Sequence, residues 1–214
     1  MFMEDNKHTQ SGFALLVSLI VVSVVVSIGL VLLDVTTKQL RLSSNSTDSE
    51  LAFHAANAGM ECARYIRREA RAAIEGDEFA TPLVNPGGSI SGIGSCFGTS
   101  VVATVGSVVV DNLNDGDAFL YQYEFEWGTE SDRCSEVDMV VAAADIFNTP
   151  TIPGNGVTIT NTNMRAAIPG YPRGQDLVCP PGSFCTAISV KGYNRSCASK
   201  DSFGTVQREV LLEL

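Results

Sequence analysis

From Phe13 to Leu33 the chain carries no charged residue, and valine, leucine and isoleucine fill most of the run. These 21 residues would form a helix about 31 Å long, close to the hydrocarbon thickness of a bilayer. β-Branched side chains disfavour helix in water, but in lipid every backbone N–H and C=O must be satisfied within the segment, so helix is expected here. The run exceeds the apolar core of a cleavable secretory signal, about 7–15 residues, and Asp34-Val35-Thr36-Thr37 after it offers no small-residue cleavage site. It is therefore expected to stay with the protein. Ser18, Ser23, Ser27 and Gly29 interrupt the run without forming a clean stripe of small residues, and by itself the run reads as a one-pass anchor.

A second helical rhythm follows. Apolar and small residues at 52, 55, 56, 59, 63, 66, 70, 73 and 74 recur at three- and four-residue steps and predict one face against a folded domain, with an end near Gly76. The intervening LSSNSTDSE is poor in helix formers, and Thr47 with Glu50 has capping-box spacing. A single long helix with a soft polar patch is the expectation; a fresh start at Thr47 is the alternative. Arg64, Arg67, Arg68 and Arg71 share one face of this helix. They read first as a solvated face balanced by Glu61, Glu69 and Glu75, next as a basic stripe that meets acidic patches on neighbouring copies, and last as a DNA contact.

Beyond Gly76 the pattern changes to strands. SVVATVGSVVV, FLYQYEFEW, EVDMVVAAAD, GVTITNTNM, TAISVKGY and TVQREVLLEL are β-rich and separated by turns such as NLNDGD and NTPTIPGNG. In FLYQYEFEW, Phe119, Tyr121, Tyr123, Phe125 and Trp127 fall on one face and Gln122, Glu124 and Glu126 on the other. An antiparallel sheet packed on the helix from Ala52 buries both apolar faces, which makes the fold class α+β.

Composition narrows the function. Mean hydropathy is +0.15 and formal net charge −10, so the chain is a poor general ligand for nucleic acid. Six cysteines, at 62, 96, 134, 179, 185 and 197, all follow the apolar run. Paired short spacings for zinc are missing, so disulfides on the oxidising side of a membrane are expected, which puts residues 34–214 outside. Lys7 before the run and Lys38 and Arg41 after it orient the helix only weakly, and towards the opposite topology. Six cysteines allow 15 pairings, and spacing selects none.

Candidate chemistry is sparse. HExxH, GxSxG, P-loop and GxGxxG motifs are lacking, and His54 has no nucleophile near it in sequence. DNLNDGD at 111–117 has the composition of a calcium loop, but Leu113 and Asn114 break the ligand register, so a turn is expected. No enzyme activity and no cofactor or metal are expected.

Gly12-Phe13-Ala14-Leu15-Leu16 follows a short polar leader and opens the apolar helix. This junction resembles the class III signal of type IV pilins. RLSSNSTDSELAFHAANAGMECARYI resembles the stretch after the apolar helix in minor pilins of pilus assembly, with its A-F-x-A-A-x-A-G-x-E pattern, and SVKGYNRSC followed by VQREVLLEL resembles the end of such proteins. The resemblance implies a pilin-like fold. It also implies a cytoplasmic leader, residues 1–12, removed by prepilin peptidase after Gly12, and a methylated Phe13. Residues 13–75 would form one helix, with 13–33 in the membrane, and residues 76–214 an extracytoplasmic β-rich domain. The implied partners are other pilin subunits, the peptidase, the assembly platform of the cytoplasmic membrane and membrane lipid. The subunit would reside in the cytoplasmic membrane before assembly and in an extracellular pilus afterwards.

Two departures qualify this. Val17 stands where most major pilins carry a glutamate thought to pair with a neighbour's N-terminal amine, and Asp34 stands where pilins often have proline. Loss of the acid favours a minor, initiating or tip subunit. The alternative is an anchored adhesin or receptor that does not polymerise. For the cysteines the working expectation is Cys62 with Cys96, Cys179 with Cys185, and Cys134 with Cys197.

Overall fold

The computed structural model describes residues 10–75, 89–110, 116–128, 132–144 and 156–214. One helix, α1, runs from Gln10 to Glu75 without a break. The polar patch stays helical: the Thr47 hydroxyl turns back to the Ser43 carbonyl, 3.1 Å away, and starts no new helix. α1 also takes in Gln10–Gly12, on the leader side of the Gly12–Phe13 junction. The chain divides into two compact units, Met1–Thr47 and Asp48–Leu214.

In the first unit the large side chains from Phe13 to Val35 are exposed. The hydroxyls of Ser18, Ser23 and Ser27 donate to the carbonyls of Leu15, Ile20 and Ser23, each at 2.8 Å. Every serine in the apolar run thus satisfies itself within its own helix, which lets it enter lipid without an orphaned donor. Asp34 pairs with Lys38 one turn on, at 2.7 Å, an exposed contact of a few tenths of a kcal/mol. α1 is long and apolar enough to cross a membrane.

The second unit is an antiparallel sheet with the second half of α1 on one face. Its strands are β1 (Ser89–Cys96), β2 (Thr99–Ser107), β3 (Gly116–Trp127), β4 (Arg133–Ala144), β7 (Phe184–Tyr193) and β8 (Gln207–Glu213), in that spatial order. A hairpin of β5 (Val157–Ile159) and β6 (Leu177–Cys179) forms a second small sheet. Register aligns Tyr121 with Met139, Val137 with Val190, and Val190 with Val210. Successive strands therefore send the same parity of side chains to one face. Val101, Ala103, Val105, Tyr121, Tyr123, Phe125, Val137, Met139, Ile188 and Val190 form that face and pack with Met60, Ala63 and Ile66 of α1. The alternation read in FLYQYEFEW is the burial found.

The opposite face is also covered at one end. Val140, Ala142 and Ala187 meet Val157, Ile159, Met164, Ile168, Tyr171 and Leu177. β4 is thus buried on both sides, which accounts for its near-continuous apolar run.

Three elements differ from the sequence expectation. Asn161–Met164, read as the end of a strand, belongs to a short helix, α2 (Asn161–Ala167). Asp176 accepts from the Asn161 backbone N–H at 2.7 Å, and the Asn161 amide reaches the carbonyls of Pro172 and Gln175. Partners more than ten residues away hold this turn, so no local signal announces it. β1 was not expected because SISGIGSC has too few apolar residues to alternate, and β6 has only three residues. The loop 111–115 lies outside the described residues.

Candidate functional site

The joint between α1 and the sheet is built from small residues. Ala52, Ala55, Ala56, Gly59 and Ala63 form the buried stripe. Opposite them stands Gly192 of β7. A Cβ there would lie 2.1 Å from the Ala56 nitrogen and 2.3 Å from the Ala52 carbonyl oxygen, so the helix backbone rests on the strand. A Cβ on Gly59 would meet Val190 at 2.4 Å and Ser135 at 3.0 Å. Such close approach is possible only where one side gives up its side chain.

Ser135 ties the same joint with hydrogen bonds. Its hydroxyl, fully buried, donates to the Ala55 carbonyl at 2.7 Å and accepts from the Trp127 indole N–H at 3.1 Å. At the upper end of the joint, Arg208 of β8 donates from Nε to the Ser49 hydroxyl at 2.9 Å.

The arginine stripe is not one surface. Arg64 pairs with Glu61 at 2.9 Å and Arg68 is exposed. Arg67 is half-buried and donates through Nε to the Thr186 hydroxyl of β7 at 2.8 Å. It is thus a helix-to-sheet fastener, because Ile66 beside it is drawn fully into the core. The side chain of Arg71 lies outside the described residues.

Three disulfides close the unit: Cys62–Cys96, Cys134–Cys197 and Cys179–Cys185. They are the pairs set out above. The first ties α1 to β1. The second fastens the β7–β8 connection, with its 3-10 turn at Cys197–Ser199, to β4. Glu124 stands beside the Cys134 and Cys197 sulfurs, within 4.8 Å, but a disulfide offers no thiolate to a metal.

No protein-family model, curated protein or solved structure matches the chain.

The residues at both ends of the joint coincide with the stretches quoted above. The stretch 52–63 supplies the small stripe, 189–197 supplies Gly192, and 206–214 supplies Arg208. More than a hundred residues separate the first from the others, and one contact surface unites them.

A polar network, not foreseen from the sequence, fills the sheet's other face beyond the hairpin. Lys191 reaches Glu136 at 2.7 Å and Asp138 at 3.2 Å; Lys200, from the β7–β8 connection, reaches Glu124 at 2.6 Å and Glu136 at 2.9 Å. Gln122 donates to Asp138 at 2.8 Å, and Tyr193 donates to Glu136. Burial pushes the Glu136 carboxyl up, but hydrogen bonds and charge from Lys191 and Lys200 outweigh it and hold the group below its ordinary 4.5. Burial lowers both lysines, and their carboxylate partners more than reverse it, raising each.

The network sets a pH dependence. Because the folded carboxyl titrates below the unfolded one, Glu136 contributes stability above about pH 4.5, which is lost as pH falls through the lowered folded value. The unfolding midpoint of the wild-type chain should drop more steeply below pH 4.5 than that of Glu136→Gln. Parallel curves would show that the network carries no such linkage. With two lysines set among three carboxylates, the arrangement fastens the β7–β8 connection to β3 and β4.

Proposed function

We propose that the chain is a type IV pilin-like structural subunit that assembles through its N-terminal helix after removal of the leader, and that it is a minor, initiating or tip subunit. The joint just described carries the reading. The stretches after the apolar helix and at the end of the chain that carry part of the resemblance supply Ala52, Ala55, Ala56, Gly59, Gly192 and Arg208, by which α1 rests on the sheet, and this supports the reading.

Two further features support it. A Cβ on Gly12 would meet nothing within 4 Å, and the same holds for Gly29. Glycine inside a helix costs about 1 kcal/mol relative to alanine, and nothing among the described residues asks for it. Gly12 is the residue a prepilin peptidase would read, and Gly29 gives a neighbouring helix room to approach. Secondly, Val17 is apolar and exposed, with no carboxylate to receive a neighbour's amine. A buried unpaired ammonium is costly in lipid, which suits a subunit with none stacked ahead of it.

In this reading the second unit is displayed outside the cell, and partner contacts are made by helix packing with other pilins. Gly12→Val tests it. The variant should retain its leader and be absent from sheared surface filaments, while the wild type is cut and present. Equal processing of both chains would refute the proposal and favour a simple anchor.

A further inference from the structure

The turn between β1 and β2 is built against local preference. Cys96 pairs with Thr99, leaving Phe97 and Gly98 as a two-residue loop with φ of 52° and 85°. Two positive φ values are the signature of the turn that ordinarily takes Asn-Gly. Phe97 is the only non-glycine residue with positive φ among the described residues. An aromatic side chain in this backbone region is strained, and such strain persists where the surroundings impose it, often at functional positions.

What the strain secures is a presented ring. Phe97 is 63% exposed, yet its ring stacks on Trp127 at 5.7 Å and 28° and on Phe125 at 6.2 Å and 21°. The Arg133 guanidinium lies 5.2 Å from the Trp127 ring. The indole cannot swing, because its N–H is held by Ser135. The Cys62–Cys96 bridge fixes the residue before the turn. Thr99, which shares the sheet face of Phe125 and Trp127, is exposed, and its hydroxyl donates to the Glu126 carbonyl at 3.3 Å.

We propose that Phe97, backed by Trp127, is a stacking platform for one neutral sugar ring of a surface glycan. A pyranose has an apolar C–H face and a hydroxyl rim. Its C–H groups carry partial positive charge and settle on the negative face of an aromatic ring, while the hydroxyl rim stays hydrated. The net charge of −10 opposes polyanions such as nucleic acid. A single ring is far too small for a stable protein interface, which needs about 1,000 Å² or more. The platform is independent of assembly and holds equally for a subunit that polymerises or one that stays anchored.

Trp127 is the chain's single tryptophan, so its fluorescence reports binding at this place. The full chain, in a detergent without a sugar headgroup, is titrated with the methyl glycosides of glucose, galactose, mannose and N-acetylglucosamine. The same samples are read by saturation-transfer NMR. At least one glycoside should give a saturable change in the millimolar range, with transfer concentrated on C–H protons of one sugar face. Phe97→Asn supplies the residue the turn prefers. It should bind at least tenfold more weakly while keeping or raising the unfolding midpoint. Phe203→Ser, which removes a wholly exposed ring on another loop (101% exposed), should leave binding unchanged. The proposal falls if no glycoside saturates, or if Phe97→Asn binds as wild type. It falls equally if Phe203→Ser weakens binding as much, or if Phe97→Asn lowers the midpoint, since the ring would then be a cap on the core.

Discussion

Gly192→Ala should lower the unfolding midpoint of the sheet unit by roughly 6–12 °C, corresponding to about 3 kcal/mol. The new methyl would meet the Ala56 nitrogen at 2.1 Å, the Ala52 oxygen at 2.3 Å and the Ala55 carbonyl carbon at 2.7 Å. All three are backbone atoms of a helix, so no rotamer change relieves the overlap; α1 must lift off β7. Lifting it exposes Ala52, Ala55 and Ala56 and breaks the 2.7 Å hydrogen bond from Ser135 to Ala55. Gly106→Ala is the matched control. Its Cβ would sit 3.7 Å from the Leu120 Cβ, an ordinary contact, and the midpoint should move by no more than about 0.5 kcal/mol equivalent. Thermal unfolding followed by near-ultraviolet circular dichroism separates the two. Equal shifts would mean that the helix does not rest on Gly192.

Removing the Cys134–Cys197 bridge should have a comparable effect. It joins residues 63 apart in sequence, whereas Cys179–Cys185 spans 6. In the chain-entropy account the first stabilises by roughly 4 kcal/mol and the second by about 2. The double alanine variant at 134 and 197 should therefore unfold at lower denaturant than the double variant at 179 and 185. It should also loosen the β7–β8 connection locally, because the Cys197 N–H donates to Glu126 at 2.9 Å and Lys200 bridges Glu124 and Glu136. Faster proteolysis between residues 194 and 206 in that variant alone would register this. If the two variants unfold together, the long bridge is not the main clamp on the unit.

Much of this architecture was legible in the sequence because its signals are local. The charge-free run, the three- and four-residue rhythm from Ala52 and the alternation in FLYQYEFEW each carry their own period, and each became the expected element. What was hidden depends on distant partners. α2 exists because Asp176 and the carbonyls near it meet Asn161. Arg67 left the basic stripe because Thr186, far along the chain, lies within reach. The lysine–carboxylate network needs four segments together, and no spacing in one segment encodes it.

The candidate site was legible in a different sense. Gly192 lay inside a quoted stretch, SVKGYNRSC, but its reason, the helix backbone across from it, becomes visible only in three dimensions. Phe97 carried a signal that could have been read: Phe-Gly where a tight hairpin ordinarily has Asn-Gly. It does not stand out, because β1 has too little apolar character to announce a hairpin at all.

The central claim is that the apolar helix is an assembly tail exposed by cleavage at the Gly12–Phe13 junction. Mass spectrometry of the N-terminal peptide from purified surface filaments tests it most directly. The account predicts a chain that begins at Phe13, methylated on its amine, and co-purifies with the filament. A chain found in those membranes with Met1 intact, or cut beyond Leu33, would contradict it.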